Sequence, residues 1–205
     1  TLLDKAEALA KLEFSRQKLS KDDIVRILGN VGAAQAVQAL LDNAEALAKL
    51  EFGGQKLSKD DIVKILGNDG AAQAVQTLLD KAEALAELEF SRQKLSKDDI
   101  LKILRAKGAA QAVQTLLDKA EALAKLEFGG QKLSKDDIVR ILGKAGAAQA
   151  VQTLLAKAEA LAELEFGSQK LSKDDIVKIL GNQGATQAVQ TLLDKAEALA
   201  ELEFG

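Results

Sequence analysis

The sequence is one phrase of 38 residues written five times. Residues 77–114 read TLLDKAEALAELEFSRQKLSKDDILKILRAKGAAQAVQ, and near-copies begin at Thr1, Ala39, Thr115 and Thr153. Together they occupy 190 of the 205 residues, and residues 191–205 start the phrase again. A period of this size implies a solenoid, in which each unit buries its apolar face against its neighbours. The expected fold class is all-α: an open α-solenoid superhelix of tandem two-helix units, each with a short helix, a variable loop and a long helix. Because the closing stretch duplicates the opening one, an open spiral is expected rather than a closed ring. The chain reads as a single array over residues 1–205, with a partial long helix at 1–18 and units at 19–56, 57–94, 95–132, 133–170 and 171–205.

Within a unit, local chemistry predicts where each helix starts and stops. Ser58 is an N-cap with Asp61 in the capping-box position three residues later, and Leu57 and Ile62 are placed for a hydrophobic staple. Ile62, Val63, Ile65 and Leu66 supply an apolar face, and Gly67 ends the helix after about two turns. A loop through Gly70 follows, where glycine tolerates a positive φ. From Ala71 the apolar positions Ala74, Val75, Leu78, Leu79, Ala82, Leu85 and Ala86 keep helical spacing to about Glu89, which predicts a long helix of about 19 residues. Eleven helices are expected in all. The linkers, such as Ser91-Arg92 and Gly53-Gly54, read as turns.

Composition removes whole classes of chemistry. With no His and no Cys, a Cys/His zinc site, a thiol nucleophile and a histidine general base are excluded. No apolar stretch is long enough to span a bilayer, and the basic-then-apolar pattern of a signal peptide is missing from the opening residues. The 28 basic and 31 acidic residues leave a net charge of −3, a mixed surface that neither announces nucleic acid nor precludes a local basic groove. The Asp-Asp pairs, such as Asp22-Asp23 and Asp136-Asp137, recur in every unit and are read as capping and first-turn groups rather than as a catalytic or metal site. Neither an enzyme nor a cofactor is expected.

Most positions keep their residue from copy to copy; the loop does not. It reads Gly29-Asn30-Val31, Gly67-Asn68-Asp69, Arg105-Ala106-Lys107, Gly143-Lys144-Ala145 and Gly181-Asn182-Gln183, so five units carry five different residues before a constant glycine. Tolerance of substitution in an exposed loop is one explanation. A row of recognition positions is the other, because apolar, acidic, cationic and amide side chains follow one another at one site.

The run LSKDDIVKILGNDGAAQAVQTLL, residues 57–79, resembles the repeat of the TAL effectors and their bacterial TAL-like relatives. There, too, a short helix, a two-residue variable loop, a Gly and a longer helix bearing a Gln follow in that order. The resemblance implies double-stranded DNA as partner, one base per unit read in the major groove by the second variable residue. It assigns base reading to Val31, Asp69, Lys107, Ala145 and Gln183, and loop bracing to Asn30, Asn68, Ala106, Lys144 and Asn182. Phosphate positioning falls to Gly32, Gln35, Gly70, Gln73, Gly108, Gln111, Gly146, Gln149, Gly184 and Gln187, since a helix N-terminus offers free amides to an anion. Matching donors to acceptors then pairs Asp69 with cytosine, Lys107 with guanine, Gln183 with adenine, and Val31 and Ala145 with the thymine methyl, in the order 5′-TCGTA-3′.

Several departures stand beside the likeness. Where the family carries a Lys before the Gln, this chain has Ala34, Ala72, Ala110, Ala148 and Thr186, and its long helix has no Pro. Ala106 and Lys144 are not the family's usual bracing residues, and the family's basic N-terminal region has no counterpart in the sequence. The competing expectation is a structural scaffold, engineered or simplified, whose loops read nothing. Under either reading the chain is expected to be a monomer, with no membrane and no small-molecule partner.

Overall fold

The computed structural model describes residues 2–30, 32–68, 70–166, 169–182 and 184–195, and among them eleven helices alternate with five two-stranded ribbons. The short helices are α2 (Lys21–Leu28), α4 (Lys59–Leu66), α6 (Lys97–Leu104), α8 (Lys135–Leu142) and α10 (Lys173–Leu180). The long helices are α3 (Ala33–Lys49), α5 (Ala71–Glu87), α7 (Ala109–Lys125) and α9 (Ala147–Glu163), with α1 (Leu2–Lys11) before them and α11 (Ala185–Asp194) after. The chain is a helical tandem repeat built of helix pairs.

Each short helix starts as its sequence predicts. In α4 the Asp61 amide donates to Ser58 Oγ at 3.2 Å, while the Ser58 amide and hydroxyl donate to Asp61 Oδ2 at 2.9 and 2.7 Å. The same reciprocal cap opens α2, α6, α8 and α10. An eight-residue helix is too short to persist alone in water, so packing must hold it. Ile62, Val63, Ile65 and Leu66 are accordingly no more than 3 % exposed.

The long helices contribute Ala74, Val75, Leu78 and Leu85 and their equivalents to the same core. Consecutive long helices lie side by side, α3 on α5, α5 on α7, α7 on α9 and α9 on α11, and each short helix packs on the next short helix as well as on its own long one. Alanines along the contact allow this approach. One apolar core therefore runs through the array without a central nucleus.

The all-helical expectation is corrected at the linkers. The long helix α5 ends at Glu87, after 17 residues rather than 19, because Leu88 turns to extended backbone at φ −64°, ψ 129°. Glu89–Phe90 then pairs antiparallel with Gln93–Lys94 across the two-residue turn Ser91-Arg92. Both turn residues have positive φ, 51° and 66°, which is the twist a two-residue hairpin requires. Gly53-Gly54 and Gly129-Gly130 reach this conformation without a Cβ in the way. The ribbon seats a phenylalanine: Phe14, Phe52, Phe90 and Phe128 are at most 1 % exposed.

Candidate nucleic-acid interface

The variable loop joins the C-terminus of a short helix to the N-terminus of a long one, and both ends shape it. At the first loop position Asn30 donates its amide to the carbonyl of Arg26 at 2.6 Å, and Asn182 donates to Lys178 at 2.7 Å. Asn68 bonds the carbonyl of Lys64 in the same way. These bonds use a carbonyl that the helix end leaves without an intrahelical partner. Ala106 has no side-chain donor; its own amide bonds the carbonyl of Ile103 at 3.1 Å, as the Asn182 amide bonds that of Ile179 at 3.4 Å. Lys144 is exposed, and its carbonyl accepts from Ala147 at 3.2 Å. The third and fourth loops thus hold the turn by backbone bonds alone.

At the second loop position Lys107 is exposed and Ala145 half-buried. Val31, Asp69 and Gln183 lie outside the described residues.

The constant glycine follows. Gly32, Gly70, Gly108, Gly146 and Gly184 all have φ between 78° and 82°, the left-handed region, as the sequence predicts for Gly70 and its counterparts. No side chain caps any of the long helices that begin there, so the first-turn amides open towards the loop without a side-chain acceptor. Gln35, Gln73, Gln111, Gln149 and Gln187 sit exposed on that first turn.

Neighbouring loops share a groove. Lys107, Gly108 and Gln111 of one unit line it with Ala145, Gly146 and Gln149 of the next. Asp118 belongs to the same groove, about two and a half turns along α7, and accepts from Gln114 at 2.7 Å. Asp42, Asp80 and Asp194 hold the equivalent place on Gln38, Gln76 and Gln190, whereas α9 has Ala156 there. The groove therefore combines open amides and one loop cation with a carboxylate about 14 Å from the helix N-terminus, at 1.5 Å per residue.

A second set of charges borders the loops from the other side. Arg26, Lys64, Lys102, Arg140 and Lys178 are exposed on the last turn of each short helix, where a cation suits the helix dipole. Lys102 and Arg105 share a shallow depression with Asn68 and Gly143 of the units on either side. A Cβ built on Gly143 would come within 3.2 Å of Lys102 Cγ, so the glycine leaves room for the neighbouring cation's stem.

The charges at the opposite end of the short helices were not legible as a set. Lys97 Nζ reaches back one unit to Asp61 Oδ2 at 2.9 Å, Lys135 to Asp99 at 2.7 Å, Lys173 to Asp137 at 2.8 Å and Lys59 to Asp23 at 3.0 Å. The carboxylate that caps one helix thus pairs with the first residue of the next. Burial pushes the Asp61, Asp99 and Asp137 carboxyls up, but bonds from the lysine and the serine outweigh it and hold them below the usual range. Asp23 is lowered chiefly by the Ser20 hydroxyl, and Lys59, Lys135 and Lys173 are raised chiefly by their aspartates. The available signal was a lysine placed at a helix N-terminus against the dipole in unit after unit. Such a lysine needs a partner, and the aspartate lies 36 residues earlier.

No protein-family model matches the chain, and no curated protein sequence matches it.

Proposed function

We propose that the chain is a modular double-stranded DNA-binding protein of the TAL-like kind, a superhelical array in which each loop meets one base. The observation that carries this reading is the loop row. In successive units one side chain changes while its setting, a left-handed glycine and an uncapped long helix, stays constant. An uncapped helix start suits a phosphate, and a short helix closed by an Asn bond suits the presentation of the next side chain. The row of cations on the short helices adds positive potential beside the loops in place of the family's lysine. Asp118 and its equivalents oppose it, so binding is weak and falls as salt rises.

Fluorescence anisotropy with duplexes that differ only at the third base tests the assignment of Lys107. The expected outcome is a preference for guanine of about 1–3 kcal/mol that disappears in Lys107→Ala, with affinity declining steeply with salt. Equal affinity for all four bases, unchanged by the substitution, leaves the scaffold reading standing.

A further inference from the structure

Beside the loop whose residue changes stands a charge that does not. Arg26, Lys64, Lys102, Arg140 and Lys178 recur 38 residues apart, all exposed, on the last turn of the short helices. Their side chains lean across the junction between units. A Cβ built on Gly67 would lie 3.7 Å from Arg26 Nε, one on Gly143 3.2 Å from Lys102 Cγ, and one on Gly181 3.6 Å from Arg140 Nε. Each of these three cations thus lies over the end of the following short helix, so that the charges run along the array as one ridge.

Among the described residues Arg26, Lys64, Lys102, Arg105 and Arg140 have no carboxylate within ion-pair distance. The acids one turn earlier are engaged elsewhere: Asp60, Asp136 and Asp174 lie 3.7, 3.6 and 3.4 Å from Lys59, Lys135 and Lys173. Lys178 is the exception, since its charge helps to lower the Asp175 carboxyl. At one junction the positive charge is doubled. Where the other units have Gly29, Gly67, Gly143 and Gly181 the third has Arg105, at the place over which the pattern lays Lys64, and Arg105 shares a shallow depression with Lys102. Like charges gathered without a counter-charge repel, and an anion relieves that repulsion.

We infer that this ridge binds phosphates of the second DNA strand, the one whose bases the loops do not meet. The inference rests on the DNA reading above. Each loop has two flanks: the uncapped long-helix start with its glutamine on one side, and the ridge on the other. A row of loops that follows the major groove, about 12 Å wide, has the phosphates of one strand on either side of it. With the open amides on the strand being read, the ridge meets the other strand. A constant Arg or Lys beside a variable residue also fits a group that every nucleotide carries. The contact is strongest at the third unit, where Lys64, Lys102 and Arg105 gather.

Fluorescence anisotropy with duplexes containing 5′-TCGTA-3′, in which uncharged methylphosphonates replace phosphates of one strand at a time, tests it. Neutralising the second strand around the third base should weaken binding about tenfold. Lys102→Gln/Arg105→Gln should weaken binding to the unmodified duplex by a similar factor, reduce the salt slope by about 1.8, at about 0.9 per phosphate contact, and remove most of the sensitivity to second-strand neutralisation. Neutralising the read strand should weaken binding of wild type and variant alike. Circular dichroism and thermal melting of the variant separate a lost contact from a folding defect, both residues being exposed. Guanine preference at the third base without any effect of second-strand neutralisation overturns this inference alone. So does a variant that stays as sensitive to that neutralisation as the wild type. A protein that binds no duplex, or all four bases equally, fails at the DNA reading itself, and the inference falls with it.

Discussion

The two ends of each short helix carry opposite designs. At the N-terminal end serine and aspartate cap each other, and in the first four units the aspartate is bonded again by the next unit's lysine. The residues there do not vary. At the C-terminal end the loop changes in every unit, the glycine opens a left-handed turn, and the long helix that follows has no side-chain cap. Groups already satisfied hold the array together, and groups left open are the ones able to meet something else. Separating the two by one eight-residue helix lets the variable end change without disturbing the stacking.

The largest expected effect comes from the core that both ends share. Leu66→Ala in α4 should cost about 2–5 kcal/mol in chemical denaturation, and Leu28→Ala in α2 clearly less, because Leu28 is already half-exposed. Equal losses at the two positions would mean that stacking does not set the burial of these helices.

Breaking the constant end comes next. Lys97→Ala strips Asp61 of its cross-unit partner and should cost about 1.5–3 kcal/mol, the range for hydrogen bonds to charged groups. The pH dependence has a definite sign. Asp61, Asp99 and Asp137 have folded values below their unfolded ones, so their stabilisation is present above about pH 4 and is lost as pH falls through the depressed folded values. Lys59, Lys135 and Lys173 are shifted upward, so theirs is present below about pH 10.4 and is lost as pH rises beyond it. Thermal melts from pH 2 to 7 on the wild type and Lys97→Ala should show a smaller acid loss in the variant.

The variable end should respond more gently. A Cβ built on Gly108 meets nothing within 4 Å, so Gly108→Ala meets only the backbone cost of a left-handed L-residue, about 1–2 kcal/mol. Asn68→Ala removes one bond from an exposed loop and should cost about 0.5–1.5 kcal/mol. Ala106→Asn can add that bond to the third loop and should recover a similar amount. A loss at Asn68 as large as that at Lys97 would end the division of labour between the two ends.

The sequence by itself determined the period, the helix starts and the left-handed glycines, because each rests on chemistry within a few residues. Ser58 and Asp61 cap one helix three positions apart, and Gly70 needs no distant group to adopt its φ. The ribbons were less legible: a strand of two residues has no periodicity, and Glu89–Phe90 looks like two more helical residues until Gln93–Lys94 pairs with it. Asn68 could be named as a bracing position only by resemblance, and its bond to Lys64 became visible only once the helix end was in place. What the tertiary structure alone decided is which partners meet across 36 residues, and which faces find none. Lys97 meets Asp61, while Val25, the equivalent of the buried Val63, is 60 % exposed. Repetition makes the residues alike; stacking makes their surroundings differ.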